Sequence, residues 1–92
     1  MDSVGQVIVN EYTRGQSIGK HLDKKMFGNL VCSLSLLEST VMQFDYEDSH
    51  LDLVLPPRSV LLIMGDARWK WTHGIKYHKG DRRVSITFRS FA

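Results

Sequence analysis

The chain has 92 residues, 42% of them apolar, with a formal net charge of +2 at pH 7. That length sets one small domain over 1–92, which buries roughly 60–65% of the surface its unfolded chain exposes, a thin but adequate core. The weak positive charge tolerates an anionic partner without demanding one, and a single cysteine, Cys32, excludes an internal disulfide framework and fits a reducing compartment.

No run approaches the ~18 apolar residues of a membrane span. The start, Met1-Asp2-Ser3, shows neither a basic nor an apolar leader region. A soluble, intracellular protein, cytoplasmic or nuclear and without a membrane partner, is the expectation.

In chain order, Gln6–Tyr12 alternates as a strand and stops at Thr13-Arg14-Gly15. Gln16–Leu22 reads as a shorter strand carrying His21, and polar Asp23–Asn29 as a loop. Leu30–Leu36 and Thr40–Tyr46 pair around Leu37-Glu38-Ser39, with Cys32 expected to be a buried, inert thiol. Glu47–His50 is a turn, and Leu51–Leu55 a strand stopped by Pro56-Pro57, where ladder donors are lost. Ser59–Met64 is the most apolar run and the expected most buried strand. Gly65-Asp66-Ala67 turns into Arg68–His73, Gly74–Arg82 is a basic loop, and Arg83–Phe88 is the last strand. Gly15, Gly19, Gly28 and Gly65 read as turn glycines, and Arg58 as a surface turn residue. About eight short strands without a three-turn amphipathic helix make the chain all-β, a two-sheet sandwich or barrel that suits a jelly roll.

Residues two apart on a strand share a face, so His21 and Asp23 point the same way. A histidine and an aspartate two apart, with a distant histidine such as His73, form the ligand set that holds non-haem Fe(II) in oxygenases. Ile8, Asn10 and Tyr12 share one face of the first strand. In the last strand Arg83, Ser85, Thr87 and Arg89 share a face, opposite Val84, Ile86 and Phe88. A solvated outer face explains such a polar stripe, yet this one holds only cations and hydroxyls, and arginine's fork suits a carboxylate. His50 and His78 read as solvated. The loop Lys76-Tyr77-His78-Lys79-Gly80-Asp81-Arg82 has a composition that can stack on single-stranded nucleic acid, although a solvated loop is the favoured reading. Trp69 and Trp71 share parity with His73, and one of them is expected to pack against the metal site.

Asn10-Glu11-Tyr12, Gly15-Gln16, His21-Leu22-Asp23, Phe27-Gly28 and Ser33-Leu34-Ser35-Leu36 follow one another as in a known family. So do Leu55-Pro56-Pro57-Arg58-Ser59, Arg68-Trp69-Lys70-Trp71-Thr72-His73-Gly74-Ile75 and Arg83-Val84-Ser85-Ile86-Thr87-Phe88-Arg89. From Gln6 to Phe91 the chain resembles AlkB-like Fe(II)/2-oxoglutarate dioxygenases. The resemblance implies a double-stranded β-helix, a jelly-roll variant, with Fe(II) held by His21, Asp23 and His73. It implies a 2-oxoglutarate site lined by Asn10, Tyr12, Arg83, Ser85 and Arg89, with Arg83 on the distal carboxylate and Arg89 near the keto-acid end. The implied reaction consumes dioxygen and hydroxylates or demethylates an alkylated or modified nucleic acid.

Two departures stand out. The family's N-terminal segment of substrate lids has no counterpart here, so the chain is expected to be the catalytic half, with self-association through an exposed sheet edge. Leu37 stands where the family tends to have glycine. A degenerate fold used as a binding module, a protein-directed hydroxylase and a cupin-like jelly roll are the alternative readings.

Overall fold

Two-residue alternation runs through most of the chain, and the backbone answers it with strands. The computed structural model describes residues 5–91, so the Met1-Asp2-Ser3 start lies outside the described residues. Within them the order is β1 (Gln6–Thr13), β2 (Ile18–His21), β3 (Phe27–Leu36), β4 (Thr40–Tyr46), β5 (Ser49–Leu55), β6 (Ser59–Ile63), a one-turn helix α1 (Asp66–Trp69), β7 (Thr72–Ile75) and β8 (Arg82–Phe91). Two four-stranded sheets result, ordered β1-β8-β3-β6 and β2-β7-β4-β5. All their pairings are antiparallel. This is the jelly-roll architecture expected from the strand pattern.

Several boundaries differ from expectation. β3 begins at Phe27, inside the stretch read as a loop, so Gly28 lies in a strand, as does Gly19 in β2. The β4–β5 turn is tighter than expected: Glu47 takes a positive φ of 52° and His50 already belongs to β5. Arg68–His73 is not one strand, because Gly65, at φ 59°, opens α1 instead. Leu37 occupies the left-handed region at φ 75°, a strained position for a side-chain-bearing residue and the one where the family tends to use glycine.

The larger surprise concerns which faces point inward. In the first sheet Ser33 sits opposite Thr87 and Ser35 opposite Ser85, and these polar residues face the second sheet. The apolar partners face out, in rows that join Val7, Phe88, Cys32 and Leu62, and Val9, Ile86, Leu34 and Val60. Cys32 is accordingly only half-buried, and the apolar run of β6 lies at a sheet edge with Val60, Leu62 and Met64 exposed. The expectation that this run is the most buried strand is corrected, since Val60 and Leu62 point to the outer face of the first sheet, where they are exposed.

The apolar core lies between the two sheets and borders the polar cavity. Val31 and Ile63 of the first sheet meet Met42, Phe44, Leu55 and Ile75 of the second. Burial of these side chains supplies the main favourable term, at roughly 1.5–3 kcal/mol each.

One close approach controls the second sheet. A Cβ on Gly74 would lie 2.5 Å from the Ile18 carbonyl oxygen and 2.9 Å from the Lys20 nitrogen. Both are backbone atoms, so β2 can run this near β7 only because residue 74 has no side chain. Gly74→Ala is expected to cost about 1–3 kcal/mol, the range for overpacking a close-packed site. Urea denaturation measures this, and an unchanged midpoint would show that β2 retreats freely.

Candidate active site

The β2–β7 pairing sets His21 directly opposite His73, with ring centroids 4.6 Å apart. Asp23 follows two residues after His21, beyond the end of β2. Its Oδ1 lies 3.9 Å from His21 Nε2, and its Oδ2 lies 3.8 Å from His73 Nε2. The ligating atoms of all three residues lie within 4.8 Å of one another. His21 Nδ1 is 2.8 Å from the Gly19 carbonyl. A proton donated there leaves the Nε2 lone pair facing Asp23 and His73. Burial holds His73 below the ordinary imidazole value, against the opposing pull of the Asp23 carboxylate, and so favours its neutral form.

Asp23 is 6% exposed, and its two oxygens are treated differently. Oδ1 accepts a hydrogen bond from Arg89 Nη2 at 2.9 Å, whereas Oδ2 is buried without a partner. A buried carboxylate oxygen with no donor is costly. A cation between the three groups would satisfy it.

The polar face of β8 continues the same cavity, of about 200 Å3, together with Asn10 and Tyr12 from β1. Arg83 is 1% exposed, donates from Nη2 to Ser35 Oγ at 2.8 Å, and lies 5.2 Å from the Tyr12 ring centre. Burial pushes its pKa below the ordinary guanidinium value. Arg89 also donates to Gln6 Oε1 at 3.1 Å and stacks over Phe27 at 4.8 Å. The Nε atoms of both arginines are buried with no hydrogen-bond partner. Two guanidinium side chains lining one small cavity suit a small dianion.

Comparison with known proteins decides the family. The model of the 2OG-Fe(II) oxygenase superfamily matches residues 2–89. The chain belongs to this superfamily, in its AlkB-like part. It is 40% identical over 78 residues to the Macaca fascicularis tRNA (carboxymethyluridine(34)-5-O)-methyltransferase ALKBH8, covering 83% of this chain and 12% of that one. It is 34% identical over 118 residues to the Arabidopsis thaliana alkylated DNA repair protein ALKBH8 homolog, covering 95% of this chain and 34% of that protein. The structure of OsALKBH1 shares the fold, with a TM-score of 0.82 at 24% identity, covering 96% of this chain and 48% of that one. The chain spans between 12% and 47% of the length of the curated relatives it matches.

Fe(II) and 2-oxoglutarate are the metal and cosubstrate of this superfamily. The donor set fits both. Two imidazoles and one carboxylate with an orphaned oxygen suit Fe(II). The guanidinium-lined wall suits the dicarboxylate.

A larger groove of about 410 Å3 opens on the outer face of the second sheet beside Val54 and Tyr77, away from these groups. Neither tryptophan lines the 200 Å3 cavity: Trp69 lies on α1 and Trp71 packs against Tyr46 at 5.9 Å. The expected packing of one tryptophan against the metal site is not found: Trp69 covers the Arg68 guanidinium and Trp71 lies beside Tyr46.

Two buried polar groups were not foreseen. His78, read as solvated, is 1% exposed, with its ring nitrogens 3.3 Å from Thr40 Oγ1 and from Glu38 Oε1. The Glu38 carboxylate also accepts from the Asp81 and Arg82 amides, and these amide bonds, that of Arg82 foremost, hold its pKa below the usual range. Gly80 leaves the necessary room, since a Cβ there would stand 2.6 Å from that carboxylate. The Glu38 turn thus ties down the loop that leads into Arg83. Arg68 is the second case, buried beside the Asp23 loop. A polar residue in a turn gives no local sign of burial, and the partners of both groups lie about 40 residues away along the chain.

β2 is also held at its outer face. Lys20 Nζ reaches Asp45 Oδ2 at 2.7 Å, and His50 lies between Asp45 at 2.8 Å and Asp52 at 2.5 Å. Asp45 first and Asp52 second raise the His50 pKa above 6.5. A histidine whose pKa rises on folding stabilises the protein fully below its unfolded value, and that stabilisation is lost as pH climbs through the folded value. Melting temperature is therefore expected to fall from about pH 6.5 upward. His50→Gln should flatten that part of the profile, and an unaltered slope in the variant would discount the His50 clamp.

Proposed function

We propose that this chain carries out Fe(II)- and 2-oxoglutarate-dependent oxidation of an alkylated or modified nucleic acid. His21, Asp23 and His73 hold the metal, and Asn10, Tyr12, Arg83, Ser85 and Arg89 line the cosubstrate site. One observation carries the reading. A buried two-histidine, one-carboxylate cluster and two guanidinium groups with unmet N–H donors border the same small cavity. Nucleic acid as the substrate class is supported by the names of matched proteins, which concern tRNA and alkylated DNA.

The bound metal supplies dioxygen activation, coupling decarboxylation of 2-oxoglutarate to succinate with hydroxylation of a C–H bond, which on an N-alkyl group releases an aldehyde. The chain's own groups bind and orient. Arg83, enclosed by Tyr12 and Ser35, presents its guanidinium to the distal carboxylate of the cosubstrate. Its burial strengthens that pairing by excluding water. Arg89 holds Asp23 Oδ1 and leaves Oδ2 free for the metal, and its positive charge favours the keto-acid end of the cosubstrate. Self-association along β6 is a further proposal, supported by that strand's edge position and exposed Val60 and Leu62.

Purified protein with Fe(II) and 2-oxoglutarate is expected to form succinate, and His21→Ala and Asp23→Ala to abolish it. Arg83→Met should raise KM for 2-oxoglutarate by roughly 10- to 150-fold, the equivalent of a lost charged hydrogen bond of about 1.5–3 kcal/mol. Succinate formation that survives in both metal-ligand variants would sink the assignment. Metal binding without any turnover would favour a binding module.

A further inference from the structure

The three clustered groups are not equally anchored. His21 and His73 lie on paired strands and face each other through the β2–β7 ladder. Asp23 has no such support, because β2 ends at His21 and β3 begins only at Phe27. A turn closed by the Phe27 amide donating to the Lys24 carbonyl at 3.0 Å follows it directly. Something outside the local backbone must set the position of Asp23.

Arg68 of α1 meets that turn from the side. Its Nη1 donates to the Asp23 carbonyl at 3.0 Å, and its Nη2 to the Lys24 and Phe27 carbonyls at 2.9 and 3.0 Å. Nε donates to the Gly28 carbonyl at 2.9 Å. One guanidinium therefore binds four carbonyls across Asp23–Gly28. The side chain is 2% exposed, and the Trp69 ring covers the guanidinium at 4.0 Å. No carboxylate pairs with Arg68 in these contacts; its N–H donors go to backbone carbonyl oxygens of the turn.

We propose that Arg68 is a positioning residue for the metal site, holding the Asp23 backbone so that the carboxylate stays between His21 and His73, Oδ1 toward the first and Oδ2 toward the second. The role rests on the metal-site reading given under the proposed function. Asp23 is then fixed at two points, its carbonyl by Arg68 and its Oδ1 by Arg89. Arg68 does not line the 200 Å3 cavity and reaches the cluster through the Asp23 turn. A planar fork with several fixed donors suits this task, and a lysine, a point charge on a flexible stem, cannot span the same carbonyls.

The test is Mn(II) binding, followed by the electron paramagnetic resonance signal of free ion, alongside thermal melting of each metal-free protein. Arg68→Met is expected to weaken Mn(II) binding roughly 10- to 100-fold, the range for residues that orient a metal ligand. Leu55→Val, in the apolar core away from the cavity, serves as a control that lowers stability without moving Asp23, and should keep wild-type Mn(II) affinity. If Arg68→Met does not fold, Arg68→Lys replaces it and is expected to bind Mn(II) more weakly than Leu55→Val at comparable melting temperature. Wild-type affinity in the folded Arg68 variant would overturn the positioning role and leave the metal site standing. Failure of the wild-type chain to take up Mn(II) would overturn the metal-site reading and this role with it.

Discussion

The His21–Asp23–His73 cluster depends on the distance between two backbones. β2 and β7 approach closely only because residue 74 is glycine, and that approach sets His21 opposite His73. No hydrogen bond between the imidazoles is needed to bring them together, since the ladder does so. Where the ladder stops, a different device takes over. Asp23 lies past the end of β2 and is held by two arginines from distant parts of the chain, Arg68 through its carbonyl and Arg89 through its carboxylate. The cluster thus combines a rigid pair with a pinned third member.

The interior of the sandwich is divided. Around Val31, Phe44, Leu55 and Ile63 it is an ordinary apolar core. Along β1 and β8 it is lined with hydroxyls, amide and guanidinium groups, and Val7, Val9, Val84, Ile86 and Phe88 of those strands face outward instead. Buried polar groups are retained only when something satisfies them. Ser35 satisfies part of Arg83, and Asp23 part of Arg89. The Nε donors of both arginines and Asp23 Oδ2 have no partner within the chain. A metal and a dicarboxylate would complete this half of the interior, which links ligand binding to the cohesion of the fold.

Much of this was legible in the residues. Parity correctly grouped Asn10 with Tyr12, and Arg83 with Ser85, Thr87 and Arg89, because strand geometry allows no other arrangement of neighbours two apart. The order of motifs named the family that the comparisons established. Parity alone did not tell which face points inward, although the family resemblance implied that the β8 arginines line the cosubstrate site. An alternating strand has two faces, and the usual expectation sends the apolar one inward. Here sheet order sends it out. Ser59–Met64 failed for a related reason, since an apolar run looks alike in a central strand and at an edge. His78 failed because its surroundings come from Glu38 and Thr40, far away along the chain.

The amino-acid sequence by itself determined the strand periodicity, the all-β class, the site chemistry and the pairing of His21 with Asp23 on one side of the chain. These are short-range properties, carried by residue type and by a two-residue repeat. The tertiary structure alone decided that β8 turns its arginines inward, that β6 is an edge, and that a four-residue helix delivers Arg68 under the Asp23 turn. Each of those outcomes depends on contacts between segments remote in sequence. Their free energy belongs to the assembled sandwich and has no counterpart in any local window of the chain.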